Sequence, residues 1–169
     1  EQVRNGGEGY LFFKRGGRTR QERFRDTDEA LAIVADYNDS WDCYVSMGTF
    51  PTTPGGRTQE AVASVGVLWG DVDAHGGGKY ASVGEAKAGV KDFLARTGLP
   101  RPTYSTMTGY GVHLLWTVGD LPIGQWQPHA NALWKVISAS GLDADAITTD
   151  SARVLRLPGT SNFRNPDRP

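Results

Sequence analysis

Nine residues, Val65-Gly-Val-Leu-Trp-Gly-Asp-Val-Asp73, constrain this chain more than any others. Until the aspartates they are apolar on both faces of a pleat, the pattern of a central strand covered on both sides. Such a strand needs a sheet around it and other layers against it, and a chain with 5 Trp, 6 Tyr and 6 Phe is not a disordered tail. Its end is polar. Asp71 and Asp73 lie two residues apart, so they project from one face with Cα atoms roughly 7 Å apart. Carboxylates that close repel each other unless a cation lies between them. An oxygen-only pair suits Mg²⁺ or Mn²⁺, ions able to hold the attacking and leaving oxygens of a phosphoryl displacement. The plainer alternative is a polar strand end that caps the following loop, Gly76-Gly-Gly78.

The elements around this strand are of both kinds. Tyr10-Leu-Phe-Phe13 reads as a short aromatic strand, followed by the basic, glycine-containing stretch Lys14-Arg-Gly-Gly-Arg-Thr-Arg20. Residues 27–38 have helical spacing, with Leu31, Val34 and Ala35 apolar and Asp28 and Glu29 in the first turn. Residues 43–47 read as a strand and 52–56 as a loop. Residues 82–97 carry Val83, Ala86, Val90, Phe93 and Leu94 on one helical stripe, with Gly98 as a stop signal before Pro100. Residues 103–107 and 112–118 pair as a hairpin around Thr108-Gly-Tyr-Gly111. A third helix spans 123–140, and a short strand at 153–157 is ended by Pro158-Gly159. The order β-α-β-β-α-β-β-α-β predicts an α+β (mixed α/β) fold and not the regular alternation of a Rossmann domain. With 169 residues, no repeat and no visible boundary, a single domain over residues 1–169 is expected. A chain running from Glu1 to Pro169 is also expected to be part of something longer. Trp41, Trp126 and Trp134 are expected in the core.

The net charge of −1 hides an uneven distribution. Residues 1–25 hold seven basic and three acidic residues, 26–150 hold seven and fifteen, and 151–169 hold four and one. A near-neutral total argues against a polyanion binder only where charge is evenly spread, and the acidic middle fits either solvated helix faces or a carboxylate cluster neutralised by a divalent metal. The single cysteine, Cys43, excludes an intrachain disulfide framework and any zinc site of the CxxC type. No apolar run approaches 18 residues and no signal-peptide pattern opens the chain, so a cytoplasmic protein without a membrane partner is expected.

Two further blocks carry chemistry. His113 follows Gly109-Tyr-Gly111-Val112 and opens an apolar strand in which His113, Leu115 and Thr117 share one face and Val112, Leu114 and Trp116 the other. A histidine there is either a core side chain satisfied by a carbonyl or a contact to phosphate, with Gly109 and Gly111 making room for a ligand near the backbone. Arg153-Val-Leu-Arg156-Leu-Pro-Gly-Thr160-Ser-Asn162 places two arginines in a semi-apolar strand, where each guanidinium needs an anionic partner. A spacing of three sends them to opposite faces of an extended chain. One, Arg156, is expected to meet a triphosphate and the other to be structural or on nucleic acid. Asp143, Asp145 and Asp150 compete as a third acidic ligand.

Taken in order, Val67-Leu-Trp-Gly-Asp-Val-Asp73, Gly111-Val-His113 and the segment from Asp145 to Arg156 resemble the motifs of the archaeo-eukaryotic primase (AEP) superfamily. The run Arg153 to Asn162 looks most like its plasmid and phage replication branch. The resemblance covers about residues 41–163. It implies a primase-polymerase catalytic core with an RRM-like central antiparallel or mixed sheet flanked by helices. It also implies two Mg²⁺ or Mn²⁺ ions held by Asp71, Asp73 and a third acid, which the family spacing assigns to Asp145 with Asp150 as fallback. His113 would contact the phosphates of an incoming nucleotide, together with Arg156, Arg153 and the glycines at 109 and 111. Many members carry Ser where this chain has Gly111, so backbone N–H groups would replace that hydroxyl. No zinc is expected in this segment.

The implied reaction is template-directed nucleotidyl transfer, in which a primer 3′-hydroxyl or a first nucleotide attacks the α-phosphate of a nucleoside triphosphate and pyrophosphate leaves. Implied partners are nucleoside triphosphates, a single-stranded or primed DNA template and, in a longer protein, a C-terminal helicase or DNA-binding domain. Arg15, Arg18, Arg20 and Arg164 would track the template backbone, the alternative for the first three being a flexible solvated arm. His75 and Lys79 are further phosphate candidates. Three rivals use parts of the same pattern: a two-metal nuclease, a non-catalytic nucleotide- or nucleic-acid-binding module of primase fold, and an Asp-x-Asp glycosyltransferase. The last leaves the arginine block unexplained.

Overall fold

The computed structural model describes residues 7–53, 55–74 and 78–164. In chain order its elements are β1 (Gly9–Arg15), β2 (Arg18–Phe24), α1 (Thr27–Ala35), β3 (Asp42–Ser46), β4 (Gly48–Thr49), β5 (Ser64–Asp73), α2 (Val83–Thr97), β6 (Tyr104–Met107), β7 (Gly111–Pro122), α3 (Ile123–Ser140) and β8 (Val154–Arg156). This is the expected α+β class, and its strands form two four-stranded sheets, β2-β1-β3-β8 and β4-β5-β7-β6. The contacts divide the chain into two compact units. The first comprises Glu1–Gly66, Gly119–Ile123 and Asp150–Pro169, the second Val67–Val118 and Gly124–Thr149. Among the described residues no helix is long and apolar enough to cross a membrane.

In the first unit, β1 pairs antiparallel with both β2 and β3, and β3 with β8. Leu11, Phe13, Phe24 and Cys43 form a buried core with Val34 of α1. Phe13 stacks on Tyr37 at a centroid distance of 3.9 Å. Helix α1 begins where Asp26 accepts a hydrogen bond from the Glu29 N–H, the N-cap that its sequence anticipates. The basic stretch after β1 is not an arm. Gly16 adopts φ +56° in a two-residue turn, and β2 returns along the whole of β1 from Arg18 opposite Arg15 to Phe24 opposite Gly9. Strand β2 escaped the sequence reading because Arg-Thr-Arg-Gln-Glu-Arg-Phe has no apolar alternation, and its position at a sheet edge does not require one. Strand β4, two residues long, was missed for lack of length. Arg23 is drawn inward as a clamp, donating to Glu8 at 2.6 Å, to the Tyr10 hydroxyl and to the carbonyls of Pro51, Thr53 and Gly55. It is therefore not available to a partner.

In the second unit, Val72 of β5, Val112, Leu114 and Trp116 of β7, Ala86, Val90 and Phe93 of α2 and Leu133 and Ile137 of α3 make one buried cluster. The alternation of β7 follows expectation, with Val112, Leu114 and Trp116 in that cluster and His113 on the opposite face. Trp69 stacks on Trp126 at 5.2 Å, and the Trp126 indole N–H donates to the Val67 carbonyl at 2.7 Å. Central β5 is thus covered on both faces, as its apolar run demanded. Of the three tryptophans expected inside, Trp126 is fully buried, and Trp134 and Trp41 are half-buried against their units' cores. Ser82 caps α2 through the Glu85 N–H, and Gly98 closes it at φ +69°.

Gly89 lies on α2 beneath the Tyr80 ring, where a Cβ would stand 2.3 Å from the hydroxyl and 2.6 Å from the carbon that bears it. Alanine normally favours a helix interior by about 1 kcal/mol over glycine, but here overpacking of a buried ring decides the sign. Gly89→Ala is expected to destabilise the protein by about 1–3 kcal/mol, read as a lower urea midpoint. In the first unit, burial pushes the Cys43 thiol up to about 11. A thiol reagent should therefore modify Cys43 only on unfolding. Because its folded value is raised, its contribution to stability should be complete below the ordinary thiol range and disappear as pH rises towards 11.

Candidate active site

Strand β5 carries Asp71 and Asp73 half-buried on either side of the fully buried Val72. The Val72 side chain anchors that end of the strand in the core, which turns both carboxylates to the opposite face. His113 lies on the same side. Its Nε2 is 3.3 Å from Asp71 Oδ1, and the two side chains are only 8% and 16% exposed. The histidine is thus a buried group with a carboxylate for a neighbour, where the sequence left open a carbonyl-satisfied core residue or a phosphate contact. Asp145 is brought to the same place by its backbone: its N–H donates to the Asp71 carbonyl at 2.8 Å.

The glycines of the β6–β7 hairpin have a structural explanation. A Cβ on Gly111 would lie 2.2 Å from the Val72 carbonyl oxygen and 3.2 Å from the Asp73 Cα. The space expected to admit a ligand is taken by β5 itself, and a serine there has no room. Gly109 adopts φ +89° in the turn, which glycine does at no steric cost. The Ala74 N–H donates to the Tyr110 carbonyl at 2.6 Å, so the turn also holds the chain leaving Asp73.

Asp143 and Asp150 make their hydrogen bonds away from this pair. Asp143 Oδ2 accepts from the Lys79 N–H at 2.6 Å while Lys79 Nζ donates to the Gly141 carbonyl, so this lysine anchors its loop. Asp150 belongs to the first unit, where its Oδ1 accepts from Gln59 Nε2 and from the Ala152 N–H. His75 and Gly76 lie outside the described residues.

Arg156 is placed differently from the expectation that it meets a triphosphate. It is buried in the first unit, where Nη1 donates to Asp42 Oδ1 at 3.0 Å and to the Ser161 carbonyl at 3.1 Å, and Nη2 donates to the Tyr44 hydroxyl at 3.0 Å. Asp42 Oδ1 also accepts from the Phe163 N–H. This is an internal ion pair that ties β3 to the segment after β8. Arg153, just before β8, is half-buried and uses its carbonyl to accept from the Met47 N–H. Arg15, Arg18 and Arg20 are exposed at the end of the β1–β2 hairpin, and Arg164 is exposed beyond β8.

The hairpin register adds residues that sequence reasoning missed. Thr106 stands directly opposite His113, and Tyr104 opposite Leu115. Cross-strand partners share a face, so β6 contributes Thr106 and Tyr104 to the side bearing His113. The only signal for them in the sequence is the hairpin itself, and its register depends on the turn.

Among the described residues no three His, Cys, Asp or Glu side chains converge as a metal-ligand set. The donor chemistry fits a hard divalent cation nonetheless, with two carboxylates on one face and a third acid tied to the first by its backbone. Asp71 and Asp73 supply the paired carboxylates, and Asp145 adjoins them through its backbone.

Removing either partner of the Asp42–Arg156 pair leaves a buried charge uncompensated. Asp42→Ala and Arg156→Ala are each expected to cost about 3–5 kcal/mol in urea unfolding, and the double variant far less than their sum.

No family model matches the chain. A "Replication protein" of Clostridium perfringens is 26% identical over 129 residues, covering 72% of this chain and 29% of the relative. The chain thus spans less than a third of that protein's length. Among solved structures, the AEP domain of the cyanophage S-2L primase-polymerase superposes with a TM-score of 0.65 at 22% identity, over 98% of this chain and 80% of that one. The elements and their order around β5 are therefore those of a known architecture: this chain has the fold of an archaeo-eukaryotic primase-polymerase domain.

Proposed function

We propose that the protein is a replication primase-polymerase that adds nucleotides to a growing strand on a DNA template. The observation that carries this reading is the pair Asp71 and Asp73 at the end of a buried strand, with His113 3.3 Å from Asp71, in a chain of primase-polymerase fold. Bound Mg²⁺ or Mn²⁺ would supply Lewis-acid stabilisation of the developing charge and a lowered pKa for the attacking hydroxyl. Asp71 and Asp73 would hold the cations, with Asp145 as the third carboxylate; its backbone bond to Asp71 favours it over Asp150, which belongs to the other unit. His113 orients the Asp71 carboxylate from its buried position and presents a donor to the phosphates of the incoming nucleoside triphosphate. Orientation of a ligating carboxylate by such a neighbour is commonly worth 10–100-fold.

Of the two arginines in the last block, Arg156 is committed within the first unit, where its guanidinium meets Asp42, Tyr44 and Ser161. The exposed Arg15, Arg18 and Arg20 give the β1–β2 hairpin a basic tip. Arg15 and Arg18 face each other across the turn, an unfavourable like-charge pair that a phosphate backbone would relieve. Arg164 extends the same chemistry. A helicase or DNA-binding domain is the expected companion in a longer protein.

The test is incubation with a primed single-stranded template, nucleoside triphosphates and Mn²⁺ or Mg²⁺. The parent should extend the primer, Asp71→Ala and Asp73→Ala should each lose at least about 100-fold in rate, and His113→Ala about 10–100-fold. Shortening of the DNA would replace this reading with a nuclease, and nucleotide binding without turnover would replace it with a binding module. Omitting the primer tests priming from the first nucleotide.

A further inference from the structure

Strand β6 is short, polar and at the edge of its sheet, yet it carries two large exposed apolar side chains, Tyr104 at 59% and Met107 at 63%. Register separates them. Met107 is opposite Val112 and so belongs to the side of the helices, whereas Tyr104 is opposite Leu115 and shares the face of His113. The Tyr104 ring makes no hydrogen bond and no ring contact among the described residues. Every other large aromatic side chain in this unit's described strands is buried or packed: Trp69 stacks on Trp126, and Trp116 donates from its indole to the Pro100 carbonyl.

The placement relative to the site follows from strand geometry. Thr106 stands across from His113, and Tyr104 is two residues further along β6, roughly 7 Å away. An aromatic side chain thus stands exposed one pleat repeat from the pair formed by His113 and Asp71. The face between them carries Thr106 and Leu115, which are uncharged and do not compete for a cation. A free aromatic face beside a site that handles nucleotides has a ready ligand, because every nucleobase presents a π-face.

We propose that Tyr104 is a base-stacking residue for the nucleic-acid strand lying across the Asp71–His113 face. This rests on the nucleotidyl-transfer reading, but it is a statement about binding and can be measured without turnover. The bound group is a nucleobase of unspecified sequence. Arg15, Arg18 and Arg20 belong to the other unit, and their chemistry reads phosphate irrespective of whether a base is attached.

The experiment compares a fluorescently labelled twelve-residue thymidine oligonucleotide with an abasic oligonucleotide of the same length and charge, titrated with the protein in chelator by anisotropy. The parent should bind the thymidine strand about tenfold or more tightly than the abasic one. Tyr104→Ala should remove most of that preference and leave affinity for the abasic strand unchanged. Tyr104→Trp should keep the preference, and Met107→Ala, on the opposite face, should keep it too. Both positions are exposed, and an unchanged urea midpoint excludes misfolding as the cause of any loss. The proposal is overturned if the parent shows no preference, or if Tyr104→Ala retains it. Primer extension by the parent with an unaltered preference in Tyr104→Ala would sink the stacking role alone. A Tyr104-dependent preference in a protein that extends no primer would sink the polymerase reading alone.

Discussion

The approach of Gly111 to Val72 is the constraint on which the candidate site depends. With 2.2 Å between the Val72 carbonyl oxygen and the place a Cβ would occupy, no other residue lets β7 begin where it does. Alternation then does the rest. Val72 and Val112 go into the core shared with α2 and α3, and the residues next to them, Asp71, Asp73 and His113, turn to the other face. A one-residue slip of β7 would exchange His113 with Val112 and bury a histidine among Phe93 and Ile137. The hydrophobic core therefore specifies the position of the polar site, and Asp145 joins through a backbone bond that does not depend on its side chain.

The first unit shows how little a count of charges says about where charges act. Arg23 and Arg156 were both counted as basic residues near the ends, yet each is an internal tie. Arg23 gathers the carbonyls of a loop that has no strand partner of its own, and Arg156 joins β3 to the segment after β8 through Asp42 and Tyr44. A guanidinium has five donors in a fixed fork, which suits it to collecting scattered acceptors. The residues left on the surface, Arg15, Arg18 and Arg20, are held by a hairpin whose turn depends on Gly16. Their charge is presented on ordered backbone, so the opposition of Arg15 and Arg18 is a feature of the fold and not an accident of a solvated arm.

The same division runs through the comparison of residue pattern with structure. Helices α2 and α3 and the β6–β7 hairpin were legible because each declares itself locally, through a stripe, a cap or a turn. The core role of Trp126 was legible from composition, but its stack on Trp69 was not. Strand β2 was hidden because an edge strand is held by hydrogen bonds along β1 and need not carry apolar side chains. At the site, the order of the acidic pair, the histidine and the arginine block was readable, since motifs survive as short strings. The partners of those residues were not, because Asp42 is 114 positions from Arg156 and nothing local links them.

Periodicity and short-range spacing were enough to establish the central strand with its polar end and the α+β class, and the likeness of the motifs to a known family added the primase-polymerase expectation. Which polar residues face one another came from the packing of distant strands. That packing placed His113 against Asp71, withdrew Arg156 into an ion pair, gave Gly111 a steric reason and brought Tyr104 onto the face of the site. The physical reason is that side-chain direction in a sheet is inherited from register, and register is decided by what packs and pairs across strands far apart in the chain.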